Sequence, residues 1–568
     1  MRHTVKALTV FSLLVYFFIL CITKIDRVFE YRWVVYFAHL FLIATILLTV
    51  FRQHIHKTLL DKLFSNKEAL CLSAIVLIAL LISFLFIKNY PYVSVGDEVR
   101  DAGLNAQRVL NAQIKNFFSF GDYNGYGNTI PVIASFFYRL FGPSVLTYRF
   151  PAALLYVLEI GLFYVLIRLS FSRSIAFLGA FVYTVLPLHL FYARTELVVA
   201  FDSFWTVVIL TVFYVWLHKR NAINYVFLGT ILGVSSQFHT AVRVVAILVL
   251  IGAILSECIY KSKILKEKFT YIILLLIFYF VGFGPSILHS NSITFLQSQR
   301  YILNKTENQQ VTTTAKLKVV KDTYMKSLMV WFYEPTTSRY PDHTPILPPF
   351  LALLFLLGIG YSIFHLRSRY FNFLLVLVFA IPFTNSAITD WVNADHRLTV
   401  LLPIGALFIT LGIAWILQKA RNSFLRGIII CGLLIYLSAL LVGFFTSHVA
   451  ANSRDIKDYL AMHVVYFLQS KILQTPNQGG RDICLVVSPA NYQDLDLLHY
   501  KEQFQYFLPN QVITIQMAQD ISDNEAYIFN GECPNNYKDV KLNLVTLCTE
   551  EKSFYCPTNY YGTIVIHY

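Results

Sequence analysis

The sequence predicts a polytopic α-helical membrane protein with about thirteen transmembrane helices and a small C-terminal extracytoplasmic α/β domain. Of its 568 residues, 57% are hydrophobic and only 14% are charged, whereas ordinary soluble domains contain roughly 25% charged residues. So little polar surface cannot cover a water-soluble core of this size. The same composition excludes disordered and low-complexity classes of protein.

The apolar residues are concentrated in runs of about 20 residues, the length that a spanning helix requires. The first run follows Arg2 and Lys6 and has no small-residue cleavage site, so we interpret it as a retained helix rather than a signal peptide. The thirteen runs lie near 7–23, 33–51, 69–87, 151–168, 174–192, 198–217, 222–237, 240–257, 269–288, 347–364, 370–389, 397–418 and 425–446.

The net charge is +14, and the basic residues are distributed as the orientation of a membrane protein requires. With a cytoplasmic N-terminus, every short connection assigned to the inside contains Lys or Arg, as the positive-inside rule requires. This distribution argues against nucleic acid as a partner and for the lipid bilayer. Thirteen spans then place the C-terminus outside the cytoplasm, and we expect the protein in a prokaryotic plasma membrane as part of the cell envelope.

Composition divides the chain into three predicted parts. Residues 1–68 contain two N-terminal helices, 69–446 form the main membrane domain, and 447–568 form the C-terminal domain. The main domain has two long outer loops, 88–150 and 289–346, and amphipathic stretches in the first loop are typical of interfacial helices. In the tail, β-rich runs separated by Pro, Asn and Gly predict strands; these runs are 483–487, 512–515 and 563–567.

Asp97 and Glu98 follow the third span on its outer side. Adjacent acids at the edge of an apolar medium are costly unless they are paired or functional. A carboxylate whose pKa is raised in such a place can act as a general base. The alternative is that Asp97 caps an interfacial helix and Glu98 lies in its favourable first turn.

A second acidic group stands at the outer start of the sixth span. Arg194 and Glu196 precede the span, and Asp202 falls within the apolar run, where an unpaired carboxylate is expensive. Two interpretations are open for Asp202: a catalytic role, or an intramembrane ion pair with Arg194 or another basic residue.

Cationic side chains recur at two other outer positions. His239 and Arg243 lie in a short turn between two spans, and His396 and Arg397 precede the twelfth span. An Arg fork suits a phosphate, so we consider these residues, with Arg194, as candidates for binding a lipid phosphate. Snorkelling or ordinary anchoring of helix ends is the alternative.

The sequence contains no Walker loop, dinucleotide fingerprint, zinc-spaced Cys/His set or nucleophile elbow. Energy for a reaction therefore has to come from an activated substrate or a gradient, and a divalent metal is compatible with the sequence but not required by it. A transporter or flippase of lipid-linked saccharide is a rival hypothesis, because buried charges also mark permeation paths. Paired internal repeats, which such folds often have, are not evident.

Five segments, in the same order, resemble the GT-C glycosyltransferases, in particular the dolichyl-phosphate-mannose–protein mannosyltransferase group (glycosyltransferase family 39), which includes the bacterial aminoarabinose lipid A transferase. They are DEVRDAGLNAQRVL from Asp97, TIPVIASFFYRLFGPSVLTYRFPAALLYVL from Thr129, SSQFHTAVRVVAILVL from Ser235, ILPPFLALLFLLGIG from Ile346 and DHRLTVLLPIGALFITLGI from Asp395.

The resemblance implies transfer of a sugar from a polyprenyl-phosphate donor to a protein, lipid or glycan acceptor on the extracytoplasmic face, with inversion. By position, Asp97 matches the proposed catalytic base of the family and Glu98 its acidic companion. Glu196 or Asp202 corresponds to a second acidic site. The two N-terminal spans and the C-terminal domain lie outside the family pattern, and the pair His239–Thr240 replaces an aromatic residue that the pattern leads one to expect there. A surface-polysaccharide polymerase or ligase is a further alternative with the same donor chemistry.

Overall fold

Helices account for nearly all described residues up to position 448, and strands for those after it. The computed structural model describes residues 7, 10–12, 32–54, 66–85, 87, 103–114, 117–120, 126–142, 144–195, 197–259, 265–289, 313–336, 344–364, 368–387, 392–420, 422–448, 483–487, 513–517, 525–530, 543–546 and 563–566.

The helices are joined by connections that range from a single residue to more than 20 residues. In chain order they are α1 (Arg32–His54), α2 (Asn66–Phe84), α3 (Asn105–Leu110), α4 (Thr129–Phe141), α5 (Val145–Arg168), α6 (Arg173–Val185), α7 (Pro187–Thr195), α8 (Leu197–His218), α9 (Ala222–Ser235), α10 (Thr240–Ile259), α11 (Leu265–His289), α12 (Thr313–Met329), α13 (Pro349–Phe364), α14 (Arg369–Pro382), α15 (Asp395–Leu398), α16 (Leu402–Lys419) and α17 (Ser423–Gly443).

Each predicted span from 33–51 onward coincides with a helix or helix pair, and the run 7–23 lies largely outside the described residues. Within the described part of the chain, seven helices are long and apolar enough to cross a membrane, or eight if the bent pair α6–α7 is one span. Five further apolar helices are shorter. The chain is thus a helical membrane protein, and the number thirteen stays a prediction.

Two helix boundaries differ from the sequence interpretation. α5 begins at Val145 rather than near Pro151, because the proline is accommodated inside the helix instead of starting it. Gly142, with φ of 65°, ends the preceding helix α4. The predicted span 174–192 is two helices, α6 and α7, that meet at an angle of 63°.

The bend between α6 and α7 follows from Pro187. Proline lacks an N–H and cannot bond the carbonyl four residues earlier, which is that of Tyr183. The His189 ring replaces the missing donor, with Nδ1 3.0 Å from the Tyr183 carbonyl oxygen. The Tyr156 hydroxyl donates to the next carbonyl, that of Thr184. The break is thus compensated by side chains within the membrane domain, where water is not available.

Ion pairs join the helix ends on one side of the bundle. Glu68 on α2 accepts from Arg168 at 2.7 Å and from Arg173 at 3.0 Å, and Arg220 pairs with Glu257 at 3.1 Å. We call this side the basic end, and the opposite side, which carries residues 103–114, 117–120 and 126–142, the loop end. The basic residues are among those that the sequence assigns to the cytoplasm, an orientation that stays a prediction.

Two helix pairs pack backbone to backbone. A Cβ atom at Gly233 or Gly282 would overlap the facing helix of the α9–α11 pair, and one at Gly358 or Gly412 would do so in the α13–α16 pair. Small residues permit this close approach between helices in membranes. The α9–α11 contact matters for the site below, because α9 leads directly into the turn that carries His239.

The C-terminal segment contains a five-stranded mixed sheet in the order β2 (Ile513–Met517), β1 (Ile483–Val487), β3 (Glu525–Asn530), β5 (Thr563–Ile566) and β4 (Asn543–Thr546). β1 runs parallel to β2 and antiparallel to β3. β5 runs parallel to β3 and antiparallel to β4. Three of the strands match the three β-rich runs, while the helices of the predicted α/β domain would fall outside the described residues.

Candidate active site

The central feature of the loop end is a buried pair formed by Asp202 and His239. Asp202 lies early in α8 and is fully buried, and its Oδ2 is 2.5 Å from Nδ1 of His239. His239 lies in the turn between α9 and α10. The preceding residue, Phe238, packs against Phe201 and Trp205 of α8 with ring centroids 4.6 and 5.1 Å apart. These contacts hold the turn against α8, so that the imidazole reaches the carboxylate.

The pair determines how the imidazole can act. Because a carboxylate only accepts hydrogen bonds, Nδ1 of His239 carries the proton in this contact. Nε2 is then the atom left to accept a proton or to contact a ligand, and the side chain is 12% exposed. The intramembrane pair considered for Asp202 therefore forms with His239, whereas Arg194 binds elsewhere.

Arg243 lies in the first turn of α10 and is 1% exposed. Its Nε donates to the Ser236 carbonyl at 3.0 Å, and its guanidinium lies 4.1 Å from the ring centroid of Phe120 and 5.8 Å from that of Phe283. The guanidinium also interacts electrostatically with Asp202. A stacked guanidinium retains its charge while its faces are covered by rings, so Arg243 places a fixed positive charge beside the Asp202–His239 pair.

The first long loop docks on the turn that carries His239. The Gly127 N–H donates to the Phe238 carbonyl at 2.7 Å, and Tyr126 forms a β-bridge with His239. A Cβ atom at Gly127 would overlap the Gln237 carbonyl oxygen, so this approach requires glycine. The Tyr126 hydroxyl in turn accepts from Nδ2 of Asn105 at 2.8 Å.

The N-terminal helix α1 contributes to the same end of the bundle. Trp33 and Tyr36 contact Phe117 of the loop with ring centroids 4.8 and 5.8 Å apart. His39 Nε2 lies 2.9 Å from Nε2 of Gln237, whose amide also donates to the Gly282 carbonyl. The segment that lies outside the family pattern therefore supports the loop and the turn of the candidate site.

Arg194 occupies a different position from the other predicted cations. Its guanidinium is fully buried at the end of α2, where Nη1 donates to the Ile82 and Ser83 carbonyls at 2.7 and 3.0 Å and Nη2 donates to the Leu85 carbonyl at 2.6 Å. Three orphan carbonyls of a helix terminus are thereby satisfied. This geometry explains why a charge is tolerated there without any ligand.

His396 and Arg397 lie on the short helix α15 at the loop end. The Asn385 side chain donates to the Arg397 carbonyl at 3.1 Å, and His396 is 7% exposed. The 3₁₀ turn that follows, Thr399–Leu401, packs against both α8 and α10. His396 and Arg397 therefore lie directly before a turn that contacts the helices bearing Asp202 and Arg243.

Three of the predicted acidic residues, Asp97, Glu98 and Glu196, lie outside the described residues. Asn105, which contacts Tyr126, follows Asp97 by eight positions. Among the residues that are described, no group of three His, Cys, Asp or Glu side chains is arranged to hold a metal ion. Asp202 and His239 supply two such ligands.

Sequence reasoning missed one buried cluster altogether. Glu159 in α5 is 1% exposed. It accepts from the Tyr183 hydroxyl and from Ser203 Oγ, the latter at 3.0 Å, and its Oε2 lies 3.3 Å from Nε2 of His189. A glutamate in the middle of an apolar run was the available signal. The cluster joins α5, α6, α7 and α8, next to the bend at Pro187.

The chain is similar to known proteins both in part of its sequence and in its fold. Residues 129–287 match the family model of the dolichyl-phosphate-mannose-protein mannosyltransferases. No curated protein matches the chain in sequence. The apo crystal structure of ArnT from Cupriavidus metallidurans is similar with a TM-score of 0.50 and 12% identity, over 79% of this chain and 86% of that chain.

Two further solved structures are similar. ArnT from the same organism bound to undecaprenyl phosphate gives a TM-score of 0.49 and 13% identity, over 81% of this chain and 87% of that chain. The apo oligosaccharyltransferase of Archaeoglobus fulgidus gives 0.45 and 15% identity, over 78% of this chain. The match spans 64% of the length of the Archaeoglobus protein.

At 12% identity, the similarity to apo ArnT establishes the fold. The family model covers α4 to α11 and thus includes Asp202, His239 and Arg243. The chain therefore has the fold of ArnT, and over residues 129–287 it is similar to the dolichyl-phosphate-mannose-protein mannosyltransferases, in agreement with the motifs in the sequence.

Proposed function

We propose that the protein is a membrane glycosyltransferase that moves a sugar from a polyprenyl-phosphate donor to an acceptor on the extracytoplasmic face. The observation that carries this proposal is the buried Asp202–His239 pair with Arg243 beside it, at the end of the bundle where the first long loop docks. The family match contributes the class of donor, a sugar on a lipid phosphate.

The proposed reaction needs one base and a set of cations. The acceptor hydroxyl oxygen bonds to the anomeric carbon as the bond from that carbon to the phosphate oxygen breaks, with inversion. The hydroxyl proton passes to the Asp97 carboxylate, and the electron pair leaves with the lipid phosphate. A positioned base contributes about 10²–10⁴ in rate, and fixed positive charges stabilise the leaving phosphate.

Arg243 and His239 suit the second requirement, the binding of the leaving phosphate. Arg243 is anchored by the Ser236 carbonyl and by Phe120, so its charge needs little reorganisation when an anion arrives. His239 is held through Nδ1, which directs Nε2 away from Asp202. We assign Asp202 the role of orienting His239, and His396 and Arg397 the role of further phosphate contacts.

The direct test supplies purified protein with a panel of polyprenyl-phosphate sugars and follows release of the lipid phosphate. We expect release from at least one donor, with an acceptor-dependent rate. Sugar transfer without lipid phosphate release would contradict the proposed donor. Movement of an intact lipid-linked saccharide across the membrane of proteoliposomes would instead identify a flippase.

Asp97→Asn distinguishes the base from the helix cap. Asparagine caps a helix about as well as aspartate. If Asp97 acts only as a helix cap, the substitution should therefore cost little stability and no activity. Loss of the base is expected to lower the transfer rate by about 10²–10⁴ with an unchanged melting temperature. Full activity in a folded Asp97→Asn variant would contradict the assignment, and Asp322→Asn, the same substitution at an exposed position of α12, serves as its matched control.

A further inference from the structure

A cavity lies at the basic end, away from the candidate active site. It has a volume of about 740 Å³ and is bounded by the connection between α5 and α6 and by the ends of α13, α14, α16 and α17. α16 begins at the loop end and ends at this cavity after 18 residues, a rise of about 27 Å. The cavity and the Asp202–His239 pair are thus on opposite sides of the membrane domain.

The cavity wall is amphipathic. Phe371 and Trp415 provide aromatic surface, and hydroxyl groups include those of Ser172, Ser362 and Ser368. Ser362 is only 3% exposed, and its Oγ has no hydrogen-bond partner among the described residues. A buried hydroxyl without a hydrogen-bond partner costs free energy. A ligand that forms a hydrogen bond with Ser362 Oγ would remove this cost.

Charge in the cavity has one sign. Arg426 lies at its edge, where Nε donates to the Ala420 carbonyl at 2.8 Å and thereby anchors the guanidinium. The described lining residues include no Asp or Glu. An anion is therefore favoured over a cation, and a headgroup with a quaternary amine would find no carboxylate to pair with.

The wall formed by α17 faces lipid. Of its residues, only Leu433 and Leu437 are buried. Phe424 and Ile428, which flank Arg426, are 73% and 53% exposed. In a membrane protein such a surface contacts acyl chains, and a ligand whose phosphate lies at Arg426 has an apolar path along α17 for its tails.

We propose that this cavity binds an anionic glycerophospholipid from the leaflet at the basic end. Its phosphate lies at Arg426, its headgroup hydroxyls contact the serine side chains, including Ser362, and its acyl chains lie along α17. The proposal is independent of the reaction at the loop end. It rests on the cavity, the Ser362 hydroxyl without a hydrogen-bond partner, the positive charge of Arg426 among lining residues that include no Asp or Glu, and the exposed apolar surface of α17.

The test measures lipid binding to the full-length purified protein by native mass spectrometry. Phosphatidylglycerol and phosphatidylcholine with identical acyl chains are added in equal amounts. We expect one phosphatidylglycerol to bind at least roughly fivefold more tightly than phosphatidylcholine, because a basic residue near the membrane surface contributes about that factor. Equal binding of the two lipids would overturn the proposal.

Variants locate the bound lipid. Arg426→Gln and Ser362→Ala are each expected to remove most of the preference for phosphatidylglycerol, while Arg426→Lys keeps part of it and shows that the site still folds. Lys419→Gln is the matched control, because Lys419 ends the neighbouring helix α16 at the same end of the bundle, is exposed and does not line the cavity. A loss in Lys419→Gln equal to that in Arg426→Gln would mean a diffuse surface attraction and would overturn the proposal.

Two further measurements separate a lipid from a free anion. Phosphatidylglycerol brominated in its acyl chains should quench tryptophan fluorescence in the wild type and less in Trp415→Phe. Inorganic phosphate at millimolar concentration should not displace it. Displacement by phosphate, or quenching unchanged by Trp415→Phe, would contradict a lipid in this cavity.

Discussion

Replacing His239 by alanine is expected to destabilise the membrane domain by leaving a buried carboxylate unpaired. Asp202 is fully buried and 2.5 Å from the imidazole. Removing one member of a buried pair typically costs about 3–5 kcal/mol. The His239 side chain is 12% exposed, so some water reaches the pair, and we expect about 3 kcal/mol, at the lower end of that range.

The second half of the prediction is a rescue. Asp202→Asn replaces a charge-assisted bond by a neutral one and should cost only about 1 kcal/mol. Once the charge is absent, removing His239 should cost about 1 kcal/mol more. The double variant Asp202→Asn/His239→Ala is therefore expected to lose about 2 kcal/mol in total, and to be more stable than His239→Ala alone.

The assay is reversible unfolding in mixed micelles as the SDS fraction rises, followed by circular dichroism. His218→Ala is the control, because His218 ends the same helix as Asp202 but is exposed, and surface substitutions usually change stability by less than about 0.5 kcal/mol. A double variant less stable than His239→Ala would refute the reasoning, because it would mean that Asp202 does not need a compensating partner.

Three other predictions concern the candidate site and the orientation of the chain in the membrane. Arg243→Lys removes the planar stack on an aromatic ring and should raise the donor concentration needed for half-maximal transfer, and so should Arg397→Lys; unchanged donor dependence in both would exclude them from the site. Gly127→Ala should separate the loop from the Gln237 carbonyl and lower activity with little loss of helix content, which circular dichroism measures against the control Gly360→Ala, at a glycine where an added Cβ meets nothing within 4 Å. A reporter that is active only in the cytoplasm should be inactive when fused after Tyr568, and a bright fusion would contradict an outer C-terminus.

The spans were predictable because the signal for them is local. A run of about 20 apolar residues becomes a membrane helix whatever its neighbours are, so α8, α10 and α16 were identified within a few residues of their observed ends. The bend at Pro187 was missed because a proline within an apolar run does not by itself reveal whether other side chains will satisfy the carbonyl it leaves free. Here His189 contacts that carbonyl, of Tyr183, and Tyr156 on another helix donates to the next one, of Thr184.

Within the candidate site, residue types were predictable and partners were not. Asp202 is expensive in an apolar run whatever surrounds it, so the sequence alone marked it as paired or functional. Its partner lies 37 positions away in a turn, and spacing could not distinguish His239 from Arg194, which is nearer in the chain. The structure assigns Arg194 to the carbonyls at the end of α2, more than 100 positions away.

The class of protein, the positions of its membrane helices and the polar residues that need an explanation follow from the sequence alone, because each depends on the transfer of a local segment from water to lipid. Which of those polar residues contact one another follows from the fold. Gly233 and Gly282 bring α9 against α11, and Phe238 pins the turn to α8, so that the Asp202–His239 pair forms beside Arg243. Such contacts depend on packing between helices that are distant in the chain, and the local hydropathy of the sequence cannot predict them.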